Sequence, residues 1–122
     1  MPDAKKKILI VDDDESLRKS MAITLKVKGY EILEAEDGMM GLEVTQEQRP
    51  HLVITDVYMP GMNGFMLAES IRSDAALKDT KIIMMTSAAQ AAGAWRSEQD
   101  VVYLDKGFSL PALVELVSKV LG

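Results

Sequence analysis

Four nearly continuous runs of aliphatic and β-branched residues constrain this chain more than any other feature: Ile8–Val11, Leu52–Thr55, Ile82–Met85 and Val101–Leu104. Runs of this length without polar alternation read as strands covered on both faces, which is the environment of a parallel sheet. A fifth run, Tyr30–Ala35, is more polar and suits an edge. Segments with helical spacing lie between them. Leu17, Met21 and Leu25, with Ala22 and Ile23 widening the stripe, predict a helix over Glu15–Lys28, N-capped by Asp14 and closed by Gly29. Met40, Leu42 and Val44 predict one over Gly38–Gln48, ended by Pro50; Phe65, Leu67, Ala68 and Ile71 predict another over Gly64–Ser73. Asp74–Thr80 reads as a loop. The alanine-rich Ala88–Ser97, interrupted by Gly93, is a weaker helix, and Ser109 caps a last one over Leu110–Leu121 with Pro111 in its first turn. Five strands alternating with five helices imply right-handed βαβ units: an α/β, doubly wound parallel sheet with helices on both faces.

At 122 residues the natural count is one domain, 1–122, large enough for a sizeable core. A formal charge of −5 argues against direct nucleic acid binding. The absence of cysteine excludes disulfides and thiolate metal sites, and a single histidine disfavours any mechanism needing a histidine pair. No apolar run reaches membrane-spanning length, and Lys5-Lys6-Lys7 reads as a solvated lead into the first strand rather than a signal peptide. The expected location is cytoplasmic, with no membrane partner.

The polar groups that end the strands carry the chemistry. The first run ends on Asp12 and Asp13, the third on Asp56, the fourth on Thr86, and the fifth leads through Asp105 to Lys106. An acid at the end of a buried strand is costly unless something compensates it. If the strand order is 2-1-3-4-5, the first and third strands are neighbours at the switch point where open α/β sheets place their sites, and their acids converge. Converging carboxylates repel unless a cation holds them. Oxygen ligands without His or Cys suit Mg²⁺ rather than zinc. Lys106 supplies a point charge suited to phosphate and Thr86 a hydroxyl donor. The set predicts phosphoryl transfer to a carboxylate, with Asp56 as nucleophile.

Those residues carry a resemblance. VDDDES at the first strand end, LVITDVYMPGMNG at the third, MMTS at the fourth and YLDK at the fifth resemble the response-regulator receiver domain, from about Lys6 to Leu121. The resemblance implies a flavodoxin-like fold with strand order 2-1-3-4-5, no turnover enzyme activity beyond self-catalysed phosphotransfer and autodephosphorylation, and phosphorylation of Asp56 by a histidine kinase or phosphotransfer protein. It further implies Mg²⁺ held directly by Asp13, through water by Asp12, and by Asp56 and the backbone carbonyl of Tyr58. Thr86 and Tyr103 become the switch pair, and Lys106 the phosphate-binding lysine. The output face is the fourth helix, fifth strand and fifth helix; its target is not specified, and self-association through that face is an open alternative to monomeric signalling.

Two departures from the pattern stand out. Gly107 follows Lys106 where the family commonly has a cis proline, so either a trans bond with a rearranged loop or a strained cis bond is expected, with consequences for Lys106. The stretch between Thr86 and Lys106 is short and lacks the usual Gly-Ala loop, which predicts a short, displaced or mobile fourth helix. Trp95 is read as packed on its own domain, and His51 as an ordinary strand-start residue. The broad apolar stripe of the last helix (Leu113, Leu116, Val117 and Val120, widened by Leu110, Val114 and Leu121) is read as core, with a dimer or target surface as the rival reading. Three other functions compete. A Mg²⁺-dependent aspartyl phosphohydrolase would want a second acid where Tyr58 stands. A flavin module would want a Ser/Thr/Gly-rich loop where this chain has Asp12-Asp13-Asp14-Glu15. A docking module that no longer accepts phosphoryl groups would rest on the two departures.

Overall fold

The strands β1 (Lys7–Val11), β2 (Glu31–Ala35), β3 (Leu52–Asp56), β4 (Lys81–Thr86) and β5 (Val102–Asp105) form one sheet in the order β2-β1-β3-β4-β5. Every neighbouring pair is parallel. These coordinates come from a computed structural model, which describes residues 5–86 and 101–122. Among the described residues the helices are α1 (Glu15–Val27), α2 (Gly38–Gln48), α3 (Gly64–Arg72) and α4 (Leu110–Leu121). That is four helices rather than five; the helix expected over Ala88–Ser97, and Trp95 with it, lies outside the described residues. A single 3₁₀ turn, Ala75–Leu77, breaks the expected loop, with Asp74 accepting from the amide of Ala76.

Alternate residues of each central strand point to opposite faces, and both faces are covered, which explains the unbroken apolar runs. Leu9, Val11, Val53 and Met84 pack with Leu67, Ala68 and Ile71 of α3. Ile8, Ile10, Ile54 and Ile83 pack on the other face with Met21 and Leu25 of α1 and Leu113 and Val117 of α4. Truncating any of these large side chains to alanine would cost about 2–5 kcal/mol. The stripe on α4 is therefore core: Leu116, Val114, Val120 and Leu121 are partly buried against the same cluster, and Leu110 is exposed.

Side chains punctuate the helices where the sequence places them. Asp14, Asp37, Asn63 and Ser109 each accept a hydrogen bond from the amide three residues on, capping α1 to α4. Gly29 follows α1 at φ 103°, as a C′ glycine should. Two helical details differ from expectation. Ile23 is 64% exposed and does not extend the stripe of α1. In α2, Met40 is exposed while Gly38, Gly41 and Thr45 are buried. A Cβ on Gly41 would come within 2.9 Å of Val11 Cγ2, so this helix approaches β1 closely at Gly41, while Leu42 and Val44 of the expected stripe pack, partly buried, against the core. It ends on Arg49 in the left-handed conformation (φ 48°), one residue before Pro50. His51 is structural, its Nδ1 accepting from the amide of Lys7 at 2.9 Å.

Candidate phosphoacceptor site

The sheet order makes β1 and β3 neighbours, and their carboxyl ends bring Asp12, Asp13 and Asp56 together. One carboxylate oxygen from each lies within 4.8 Å of the others. Asp12 is fully buried, Asp56 is nearly so, and Asp13 is exposed. Asp56 is the last residue of β3, in register with Met85, and Thr86 is the last residue of β4, in register with Asp105. Both belong to the ladder itself rather than to the loops beyond, so the sheet fixes their positions. Thr86 is buried.

The electrostatics of the cluster are unbalanced in a particular way. Asp12 Oδ1 accepts from the amide of Asp14 at 2.9 Å. Its Oδ2 is buried with no hydrogen-bond partner. Burial, together with the negative charge of Asp56, raises its pKa above the ordinary value. A buried carboxylate oxygen without a donor, beside two further carboxylates, is the arrangement a hard cation satisfies, and the donor set is all oxygen.

Lys106 answers part of that charge. Its Nζ donates to Asp56 Oδ2 at 2.9 Å. Burial alone would lower the lysine pKa, but the hydrogen bond and charge of Asp56 outweigh it and raise it. The described residues contain no cis peptide bond, so Lys106–Gly107 is trans. The loop is held by other means. The amide of Lys106 donates to the Thr86 carbonyl at 2.9 Å, that of Gly107 to Asp105 Oδ1 at 2.8 Å, and that of Phe108 to the Asp105 carbonyl at 3.0 Å. Asp105 thus closes the turn from within. The substitution of glycine for proline leaves Lys106 on Asp56.

Tyr103, on β5, is partly buried, and burial raises the pKa of its phenol. Tyr58 lies in the β3–α3 turn and is 67% exposed. A groove of about 480 Å³ lined by Asp13, Glu36, Asp37, Met39, Pro60 and Met62 opens beside the acids.

Residues without reactive groups also build the site. A Cβ on Gly64 would collide with the carbonyl of Asp56 and stand 2.8 Å from Met84 Sδ. The first residue of α3 therefore sits directly on the end of β3, and the Gly64 amide donates to the Val57 carbonyl at 2.9 Å. The sequence places Gly64 at the start of a helix but carries no sign of this close approach. Thr55 Oγ1 bonds the Asp56 carbonyl at 3.0 Å, a contact hidden within an apolar run.

A family model described as the response regulator receiver domain matches residues 8–118. The chain belongs to the response-regulator receiver family. Its fold is that of the chemotaxis protein CheY4 of Vibrio cholerae, with a TM-score of 0.88, 32% identity, and coverage of 96% of this chain and 99% of that one. The response regulator TrrA of Thermotoga maritima, solved in complex with Mg²⁺-BeF, is 36% identical with a TM-score of 0.85, over 94% of this receiver and 98% of that chain. Among curated proteins, the probable transcriptional regulator ycf27 of Cyanophora paradoxa is 39% identical over 88 residues, 72% of this chain and 36% of that protein. The aligned region spans 31–36% of the length of such curated relatives. Receivers are signalling modules rather than classical enzymes, and no described helix of this one is long and apolar enough to cross a membrane.

Proposed function

We propose that this receiver accepts a phosphoryl group on Asp56, delivered by a histidine kinase or a phosphotransfer protein in the cytoplasm, and that the whole chain, 1–122, acts as one unit. The observation that carries the reading is the pairing of a buried, unpartnered Asp12 Oδ2 with a lysine already seated on Asp56. Asp12, Asp13, Asp56 and the carbonyl of Tyr58 would hold Mg²⁺, which neutralises the carboxylates against an incoming phosphoryl group. A carboxylate oxygen of Asp56 attacks phosphorus, the P–N bond of the phosphohistidine donor breaks, and the leaving imidazole keeps the electron pair and takes a proton. Lys106 then transfers its hydrogen bond from the carboxylate to a phosphoryl oxygen, and the Thr86 hydroxyl supplies a second donor. Tyr103, in register with Met84 two positions before Thr86, senses that movement. The signal leaves through β5, α4 and the helix expected over Ala88–Ser97. That face also serves any self-association. Attack of water on the acyl phosphate returns the receiver to its resting state.

The docking-module reading rested on Gly107 and on the short fourth helix; the lysine seated on Asp56 weighs against the first, and the second lies outside the described residues. The test is incubation of the whole chain with acetyl phosphate and Mg²⁺, followed by intact-mass measurement. One added phosphoryl group is expected, absent in Asp56→Asn and absent when EDTA replaces Mg²⁺. A wild-type chain that gains no phosphoryl group overturns the reading.

A further inference from the structure

Arg18 is a charged residue of α1 whose side chain is only 11% exposed. Its Nη1 donates to the backbone carbonyl of Asp12 at 2.7 Å, and its Nε to Glu34 Oε1 at 2.9 Å. Lys19 Nζ holds the other Glu34 oxygen at 3.2 Å. The amide of Asp12 meanwhile donates to the carbonyl of Ala35, the residue after Glu34, at 3.1 Å. Both peptide planes flanking Asp12 are thus tied to the edge strand β2, one through the main chain and the other through Arg18 and Glu34.

The carbonyl that Arg18 holds belongs to the Asp12–Asp13 peptide. The orientation of that plane fixes where the backbone of Asp13 emerges, and so where its carboxylate stands relative to Asp12 and Asp56. A guanidinium suits the task because its rigid fork can serve a carbonyl and a carboxylate at once. Anchorage of α1 does not require it: Met21, Ala22 and Leu25 are buried and Asp14 caps the helix. Resting on the cation site proposed above, we infer that Arg18 is a positioning residue for that site. Through Glu34 it makes the edge strand β2 part of the machinery that presents Asp13 to Mg²⁺. Outer groups that orient metal ligands commonly account for about 10–100-fold in metal affinity.

The test is calorimetric titration of the folded, whole chain with MgCl₂. Wild type is expected to bind, Arg18→Met to bind about tenfold or more weakly, and Arg18→Lys and Glu34→Gln to fall between, since each keeps part of the fork. Lys19→Met removes the other partner of Glu34 but no bond to Asp12, and is expected to stay within about twofold of wild type. With acetyl phosphate, the Mg²⁺ concentration giving half-maximal phosphorylation should rise by the same factor in Arg18→Met, while the rate at saturating Mg²⁺ stays near wild type. A merely structural arginine would lower the melting temperature in EDTA without moving either Mg²⁺ dependence. If Arg18→Met does not fold, Arg18→Lys and Glu34→Gln carry the same comparison. Wild-type affinity in the Arg18 variants, or an equal loss in Lys19→Met, overturns the inference alone. Failure of wild type to bind Mg²⁺ overturns the cation site and the inference together.

Discussion

Asp12 is held in a conflict that the rest of the site explains. It is fully buried, one of its oxygens has no hydrogen-bond partner, and burial followed by the charge of Asp56 raises its pKa above 3.8. A carboxyl raised in the folded state binds more protons there than in the unfolded chain. In the metal-free protein its contribution to stability therefore falls as pH rises from about 3.8 through the raised folded value. Asp12→Asn should remove that loss, raising the metal-free melting temperature near neutral pH by about 3–5 °C, on the order of 1 kcal/mol. The same change should blunt the stabilisation by Mg²⁺; thermal melts with EDTA and with MgCl₂ read both effects. Lys106 carries the opposite sign. Against the effect of burial its pKa is raised by the Asp56 carboxylate, so while that carboxylate is ionised the lysine's contribution is full below 10.5 and fades as pH climbs through the folded value. Lys106→Met should slow phosphorylation by acetyl phosphate about 10²–10³-fold, by analogy with loss of one preorganised charge-stabilising donor. A rate within about threefold of wild type would remove Lys106 from the proposed mechanism.

The elements meet the site at two joints. At the first, α3 rests on β3 through Gly64, where any Cβ would strike the Asp56 carbonyl and crowd Met84. Gly64→Ala should destabilise the fold by about 1–3 kcal/mol through overpacking and reduce phosphorylation of the protein that remains folded. Denaturant melts and intact-mass assays on the same sample separate the two effects. At the second joint, α1 meets β2 through Arg18, Lys19 and Glu34. Burial would raise the Glu34 pKa, but the hydrogen bonds from Arg18 and Lys19 outweigh it and lower it. Its contribution to stability is therefore present above 4.5 and lost as pH falls through the lowered folded value. Wild type should exceed Glu34→Gln in stability at neutral pH, and the difference should close in acid. A gap that persists unchanged to low pH would show that the ion pair is not its source. Neither joint is legible in the sequence. A glycine that permits backbone contact looks like any turn glycine. Arg18 and Glu34 are ordinary charges until the sheet order sets α1 beside β2, although an arginine on the flank of the Met21–Leu25 stripe is the signal that could have marked it.

At the scale of the whole molecule, the architecture was legible because both sheet faces are buried. Continuous runs such as Ile8–Val11 and Leu52–Ile54 leave a parallel sheet as the natural solution, and helices then cover both faces. The strand order followed from the resemblance rather than from the runs themselves, since periodicity does not say which strands are neighbours. Helix limits were legible where caps are strong, as at Ser109–Leu121 and in α2, whose expected limits Gly38–Gln48 are those observed; the close approach of Gly41 to Val11 was not legible. The reactive residues were legible because each closes a strand. The consequence of Gly107 was not, because it depends on hydrogen bonds that the amides of Lys106, Gly107 and Phe108 donate to Thr86 and Asp105, which only the folded loop displays. The molecule as a whole is thus a sheet that carries three acids and a lysine to one edge, with helices holding them there. The claim that Asp56 receives the phosphoryl group can be tested by chemical trapping: phosphorylate the chain, reduce the acyl phosphate with borohydride, and map the modified residue by peptide sequencing in a mass spectrometer. The account predicts homoserine at position 56 and at no other acid. Reduction at Asp12 or Asp13, or none anywhere in a chain shown to be folded and Mg²⁺-bound, would contradict it.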